Sequence, residues 1–259
     1  MIPPFDHVAA LIRDVAHREI LPRFKTLGAE AIHAKSHAND LVTDADLAAE
    51  KALTAGLLAL LPGSRVVGEE SAYDDPALLD RLRDAGWIWI VDPVDGTSNF
   101  VHGRPTFAVA VALVRDGQTV AGWLYAPIGD EMIHAELGKG SWSADRRLTV
   151  GAPDRPLSAL TGNAGYRVPA ALQGRIGQQM RHGSAAHDYM AIATGRMDFA
   201  VFRRLMPWDH AAGVLICQEA GAYVALLDGR PYAPSIREGA ILTAPGIIPW
   251  QQMAAALKP

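Results

Sequence analysis

Two aspartates three positions apart, Asp92 and Asp95, are the residues whose type and spacing most favour chemistry. They follow the apolar segment Trp87 to Val91, which is typical of a buried strand, and strand ends are where α/β folds present functional groups. Carboxylates this close repel each other unless a cation neutralises them. Mg²⁺ is a natural partner for oxygen ligands and commonly brings a phosphate. Gly96 would let the backbone approach such an anion, with the amides of Gly96 and Thr97 facing it.

Two other interpretations of this run stay open on the residues alone. Asp-Pro and Asp-Gly are ordinary turn dipeptides, so the segment could be a polar loop after a strand. A phosphatase loop with a nucleophilic aspartate has the pattern D-x-D-G-T. Here both Pro93 and Val94 separate the aspartates, which changes the direction of each carboxylate and disfavours an aspartyl-phosphate mechanism.

Acidic residues elsewhere could belong to the same site. Glu69, in Gly68-Glu69-Glu70, follows a candidate strand from Arg65 to Val67, although adjacent glutamates are most often a solvated surface pair. Asp209 precedes the apolar segment Val214 to Ala220. The sequence favours equally a helix-start residue stabilised by the helix dipole and a metal ligand.

Thr43 and Asp46 are spaced as in a capping box, with Asp in place of the usual Glu. The pair predicts the start of a helix that covers Leu47 to Leu61. Capping alone accounts for these two residues.

Taken together, the four motifs resemble those of the inositol monophosphatase family of metal-dependent phosphatases. The family fingerprint is D-P-[IVL]-D-G-T-x-N-F-x-H-x-x-P, with an earlier G-E-E, a late W-D-x-A-x-G…E-A-G and an early D-L-V-T-x-x-D preceded by a lysine. The matching residues are Asp92 to Phe100, His102, Pro105, Gly68 to Glu70, Trp208, Asp209, Ala211, Gly213, Glu219 to Gly221, Asp40 to Asp46 and Lys35. Order and spacing agree along nearly the whole chain.

The resemblance implies an α/β layered sandwich of the sugar-phosphatase type and a Mg²⁺-dependent phosphatase holding two to three ions, with Mn²⁺ as a substitute. By family analogy, Glu69, Asp92 and the Val94 carbonyl would hold one ion. Asp92, Asp95 and Asp209 would hold another, and a weaker third would involve Glu69 mainly through water. Lithium sensitivity and a homodimer are further implications. No phosphoenzyme is expected.

The resemblance also implies the remaining roles. Asp46 and Thr97, with Glu69, would position and activate the attacking water. The amides of Gly96 and Thr97 would hold phosphate oxygens. Substrate contacts would come from Asp95, Asp209, Ser184 and Ala185, the last two in the family's G-[ST]-A-A stretch.

Substrate identity is open at this stage. Inositol-specific members of the family carry a glutamate where this chain has Phe202, followed by Arg203 and Arg204. This departure disfavours an inositol preference, and an arginine could meet a second anionic group, although exposed arginines are usually solvated. His187 is open in the same way. Alternative substrates are histidinol phosphate, fructose 1,6-bisphosphate and adenosine 3′,5′-bisphosphate, and a non-enzyme alternative is a regulatory binding protein.

Composition restricts the function classes. The chain has 259 residues, of which 49% are hydrophobic and 20% charged, as is usual for a globular enzyme. A net charge of −4 gives no reason to expect nucleic-acid binding. The single cysteine, Cys217, cannot form an internal disulfide, and no run of 18 apolar residues predicts a membrane helix. A cytoplasmic location, with no membrane partner, is therefore expected.

The predicted elements divide at a connection near residue 149, giving an N-terminal half (1–148) with most metal ligands and a C-terminal half (149–259) with Asp209. The N-terminal half combines an amphipathic helix, a second helix and an antiparallel meander. The C-terminal half alternates strands and helices. The predicted ranges are helices Pro4 to Phe24, Leu78 to Arg83, Ala170 to Met180, Ala185 to Ala193, Trp208 to Ala220 and Ile248 to Leu257, and strands Phe107 to Val114, Val120 to Tyr125, Glu131 to Leu137, Phe199 to Phe202, Ala222 to Leu226 and Ala240 to Thr243.

Overall fold

The structure is a computed structural model that describes residues 2–26, 32–34, 41–151 and 155–257. Lys35 and Asp40 of the early motif lie outside these residues. The helices are α1 (Phe5–Val15), α2 (Asp44–Leu60), α3 (Glu69–Asp74), α4 (Thr97–Val101), α5 (Ala185–Ala193), α6 (Pro207–Glu219) and α7 (Ile247–Leu257). The strands are β1 (Ile32–Ala34), β2 (Leu41–Thr43), β3 (Arg65–Gly68), β4 (Trp87–Asp95), β5 (Ala108–Arg115), β6 (Gln118–Ala126), β7 (Glu131–Glu136), β8 (Gly140–Ser143), β9 (Arg146–Arg147), β10 (Thr161–Asn163), β11 (Gln178–Gln179), β12 (Phe199–Phe202), β13 (Tyr223–Leu226) and β14 (Ile241–Ala244).

These elements form alternating layers of helix and sheet. The larger sheet has the order β3-β4-β5-β6-β7-β8-β9, and the smaller one has the order β11-β10-β12-β14-β13. Side chains such as Leu53 and Trp89 pack α1 and α2 on one face of the larger sheet. Ile90 and Ile216 belong to the core that joins its other face to α5, α6 and the smaller sheet. Trp250 of α7 packs beyond the smaller sheet, so the predicted α/β layered sandwich is confirmed.

The N-terminal helix follows its amphipathic pattern. α1 continues through a π-helical turn, Ala16–Ile20, and a 3-10 turn, Leu21–Arg23, which together match the predicted range. Val8, Ile12 and Val15 are fully buried against α2 and the larger sheet. The hydrophobic stripe therefore covers one face of that sheet.

The meander is confirmed, and its first turn has a local cause. Asp116 and Gly117 join β5 to β6 with φ of 51° and 81°. Two consecutive positive φ values give the twist that a two-residue hairpin requires, and Asp-Gly tolerates them well.

The predicted helix from Ala170 to Met180 is wrong. The segment holds a 3-10 turn, Ala170–Leu172, and the short strand β11 instead. Gly174 has a φ of +69°, which breaks a right-handed helix. The amide of Gly177 donates to the carbonyl of Leu160 at 2.9 Å, so the backbone joins the smaller sheet.

The division at residues 148 and 149 stays a prediction. The larger sheet ends at Arg147 and the smaller sheet begins at Thr161. However, α5 and α6 share one hydrophobic core with the larger sheet, so a single core crosses the proposed boundary. Among the described residues, no helix combines the length and apolar character needed to cross a membrane.

Candidate active site

A β-bulge brings Asp92 and Asp95 to the same face of β4. Asp92 pairs with Ala110 and Asp95 with Ala108, so three steps along β4 oppose two along β5. In a regular strand, residues three apart point to opposite faces, and the extra residue of the bulge restores the same direction. The predicted strand end at Val91 is wrong, because the strand continues through both aspartates.

Asp209 joins this pair from α6. It lies in the first turn of the helix, and α6 packs across β4, β5 and β6. Carboxylate oxygens of Asp92, Asp95 and Asp209 all lie within 4.8 Å of one another. Asp209 is therefore both a helix-start residue and a member of an acidic cluster.

Glu69 is placed beside the cluster by the parallel pairing of β3 with β4. Gly68, the last residue of β3, is opposite Val91, so Glu69 follows at the level of Asp92. The carboxylate of the buried Glu50 accepts the amides of Glu70 at 2.7 Å and Ser71 at 2.8 Å. This contact fixes the start of α3, and the sequence analysis missed it because Glu50 lies in the middle of a different helix.

Replacing Glu50 with alanine is expected to destabilise the fold by about 2–4 kcal/mol, because two buried amides lose their acceptor. Glu50→Gln retains one acceptor oxygen and is expected to lose about half as much. Urea unfolding measures both. Equal stability of the alanine variant and the unchanged protein would show that water replaces the carboxylate.

Burial and mutual repulsion both shift the pKa values of carboxylates in this cluster. The pKa of Asp92 is raised well above its usual range, first by burial and then by the negative charges of Glu69, Asp95, Asp209 and Asp46. Burial likewise raises the pKa of Asp95 to about 6, against the lowering effect of hydrogen bonds from Ser184, Ala186 and Ala185. Closely spaced, buried oxygen donors of one sign fit a hard divalent cation.

Asp46 connects the capping box to the cluster. Its Oδ2 accepts the Thr43 amide at 2.9 Å and the Thr43 hydroxyl at 2.5 Å, which confirms the capping box of α2. Its Oδ1 lies 3.2 Å from the Thr97 hydroxyl, and that hydroxyl is also 3.0 Å from the Val94 carbonyl. Capping alone does not account for Asp46, since the same carboxylate also holds Thr97.

Ser184 and the amides that follow it are directed at Asp95. The Ser184 hydroxyl donates to Oδ2, and the amides of Ala186 and Ala185 donate to Oδ2 and Oδ1 at 2.7 and 3.2 Å. These contacts orient one carboxylate of the cluster. Substrate contacts by Ser184 and Ala185 remain predictions.

Asn99, a residue of the fingerprint to which the sequence assigned no role, holds the loop that carries Ser184. Its buried side-chain amide donates to the carbonyls of Thr106 at 2.7 Å and His182 at 2.9 Å. From the other side, Asp188 accepts a hydrogen bond from Asn163 at 2.6 Å and lies 2.7 Å from His182 Nδ1. The loop is therefore fixed by side chains from two different layers.

Two histidines near the site are held neutral. Burial lowers the pKa of His187 and of His210 to about 4. A neutral His210 donates from Nε2 to the Arg204 carbonyl at 2.7 Å and accepts at Nδ1 from the Tyr189 hydroxyl at 3.0 Å. His187 Nδ1 lies 3.1 Å from the Ser184 hydroxyl. Both histidines have structural contacts that position the loops around the cluster.

An open cavity of about 500 Å³ lies over the carboxylate cluster. Glu69, Gly96, Thr97, Ser184 and Ala185 line it together with the three aspartates. The sequence-predicted Phe202, Arg203 and Arg204 also line it, as do Asn163, Tyr166 and Arg181, which the sequence analysis missed.

Comparison with known proteins identifies the family. The sequence profile of the Inositol monophosphatase family matches residues 5–258. The chain belongs to this family. A Thermotoga maritima protein named fructose-1,6-bisphosphatase/inositol-1-monophosphatase is 31% identical over 233 residues, 87% of this chain and 85% of the relative. A Neisseria meningitidis protein named putative Nus factor SuhB is 34% identical over 213 residues, 78% of this chain and 79% of the relative.

A solved structure of a Thermotoga maritima IMPase agrees with this fold at a TM-score of 0.82 and 27% identity, covering 97% of this chain and 95% of that chain. The predicted fold of the inositol monophosphatase family is therefore confirmed. Curated relatives named inositol-1-monophosphatase establish the enzyme class as a phosphoric monoester hydrolase. The family is metal-dependent, and the acidic cluster is where this member could bind metal.

Proposed function

We propose that this chain is a Mg²⁺-dependent phosphatase that hydrolyses small polyol or sugar phosphate monoesters by in-line attack of water. The observation that supports it most is the cluster of Asp92, Asp95 and Asp209, whose oxygens lie within 4.8 Å of one another. Beside it, Asp46 and Thr97 are within hydrogen-bond distance.

The proposed ligand set follows the placement of the oxygens. Glu69, Asp92 and the Val94 carbonyl would hold one cation, and Asp92, Asp95 and Asp209 a second, with a weaker third at Glu69 through water. Mn²⁺ is a plausible substitute, since it prefers the same ligand atoms. When bound, such cations lower the pKa of a water and offset the charge of the phosphate.

The residues of the chain then orient the reactants. The Thr97 hydroxyl would donate its one proton to Asp46 Oδ1, at 3.2 Å, or to the Val94 carbonyl, at 3.0 Å. In either case a lone pair of the hydroxyl is left to accept a hydrogen bond from the attacking water. The amides of Gly96 and Thr97, at the start of α4, would hold phosphate oxygens, because first-turn amides have no acceptor within their own helix. Phosphoryl transfer needs positioning and charge neutralisation rather than a protein nucleophile, so no phosphoenzyme is expected.

Phe202 contributes an apolar ring to the lining of the cavity. Phe202 occupies the position where inositol-specific members carry a glutamate. Its ring centroid lies 5.0 Å from the ring centroids of both Tyr189 and His210. A site that hydrogen-bonds a hydroxyl discriminates far better than an apolar wall. We therefore expect weak discrimination among polyol and sugar phosphates.

A panel of kcat/KM values with Mg²⁺ tests this proposal, using phosphates of inositol, glycerol, fructose, histidinol and adenosine. Values within about tenfold across the polyol and sugar phosphates are expected, and Phe202→Glu is expected to favour inositol 1-phosphate. If the protein hydrolyses none of the phosphates in the panel, the proposal is contradicted. That result would favour a regulatory binding protein, the alternative to which the relative named putative Nus factor SuhB gives weight.

We further propose that lithium inhibits the enzyme and that the chain forms a homodimer. Both rest on membership of the family. Activity with added lithium and the mass of the protein in solution test them separately.

A further inference from the structure

Three parallel strands of the smaller sheet end at the cavity. β11, β10 and β12 are neighbours in that order, and β10 pairs in parallel with both of the others. Their carboxyl ends therefore lie at one edge of the sheet, where α/β folds commonly bind ligands. Arg181, Tyr166 and Arg203 follow these ends, and all three line the cavity that contains the acidic cluster.

Arg181 is placed by an aromatic contact. Its guanidinium lies over the Tyr166 ring, 5.2 Å from the centroid. The Tyr166 side chain is otherwise presented to solvent, since the residue is 84% exposed. A cation–π contact orients an arginine while leaving its N–H donors available. The contact therefore places the Arg181 guanidinium among the residues that line the cavity.

Neither Arg181 nor Arg203 has a carboxylate within ion-pair distance among the residues that the structure describes. Arginines elsewhere in the chain do, as in the contacts of Arg155 with Asp198 at 2.6 Å and Arg196 with Glu131 at 2.8 Å. Asp188, another carboxylate of the cavity, is engaged by Asn163 and His182. The guanidinium groups of Arg181 and Arg203 are therefore available in the cavity for an anionic partner.

We propose that Arg181 and Arg203 form a subsite for a second anionic group, so that the preferred substrate is a phosphate ester whose leaving group carries a further phosphate or carboxylate. This inference rests on the proposed phosphatase function, which places the scissile phosphate at the acidic cluster. A cavity of about 500 Å³ accommodates a sugar-sized leaving group between the two ends. Guanidinium groups bind phosphate and carboxylate alike through paired N–H donors.

Matched substrate pairs test the subsite. Fructose 1,6-bisphosphate is compared with fructose 1-phosphate for a second phosphate, and 3-phosphoglycerate with glycerol 3-phosphate for a carboxylate. In at least one pair, the kcat/KM of the substrate with the second anionic group is expected to exceed that of the substrate without it by about tenfold or more. Charge-assisted hydrogen bonds contribute that much. The pair with the larger ratio identifies which anion is preferred.

Arg181→Gln and Arg203→Gln are each expected to lower the ratio of kcat/KM values within a pair about tenfold, mainly by raising KM for the substrate with the second anionic group. In the unchanged protein, added salt is expected to lower the same ratio. Arg175→Gln is the matched control, because Arg175 is exposed and precedes β11 at the opposite end of the strand. Ratios near one in both pairs, or ratios that neither variant changes, would overturn the subsite while leaving the phosphatase function intact. The proposed function fails only if neither pair and no other phosphate of the panel is hydrolysed. The same ratio measured as calorimetric dissociation constants then decides on the subsite alone.

Discussion

Asp92→Asn is expected to reduce kcat by a factor on the order of a thousand or more, while the fold remains intact. Asp92 is central to the proposed ligand set, because it would contact both cations, and its loss removes charge that positions the reacting phosphate. Thermal unfolding in a chelator is expected at the same or a higher temperature than in the unchanged protein. The reason is that Asn removes a carboxylate whose pKa is raised first by burial and then by repulsion from the neighbouring carboxylates.

Asp209→Asn is expected to behave in the same way, and Asp145→Asn, at an exposed position, serves as the control. The measurements are kcat at saturating Mg²⁺ and the unfolding temperature without metal. Near-normal activity of Asp209→Asn would leave Asp209 with only its role at the start of α6. A large loss of metal-free stability in both variants would show that the cluster is compensated within the protein.

Thr97→Val is expected to reduce kcat about a hundredfold with little change in KM. Valine has the shape of threonine without the hydroxyl that Asp46 holds, and positioned acid–base groups contribute about this much to rates. Thr97→Ser retains the hydroxyl and is expected to recover most of the activity. Steady-state kinetics of the three proteins make the comparison.

The control for a purely structural effect is the unfolding temperature, because Thr97 also contacts the Val94 carbonyl. If Thr97→Val lowers stability and Thr97→Ser fails to restore activity, the hydroxyl does not orient the water.

Local patterns in the sequence were sufficient to predict most elements. The capping box at Thr43, the hairpin at Asp116-Gly117 and the apolar strands are determined by neighbours in the chain. The helix expected after Ala170 failed, because Gly174 and a hydrogen bond to Leu160 prevail over local propensity.

The composition of the acidic site was predictable, but its geometry was not. The bulge that aligns Asp92 with Asp95 depends on pairing with β5, which periodicity within one strand does not show. The contacts of Asn99, and Arg181 altogether, were not predicted because their partners are distant in sequence or belong to another strand end. Contacts of this kind arise only once the sheets are assembled.

The most direct test of the acidic cluster as a metal-dependent phosphatase site is a titration of chelator-treated protein with Mg²⁺, following phosphate release from inositol 1-phosphate. We expect no turnover before Mg²⁺ is added, a saturable rise as it is added, and no comparable rise for Asp92→Asn at any Mg²⁺ concentration. Full activity in the chelator, or the same rise in Asp92→Asn, would contradict the assignment of these carboxylates as metal ligands.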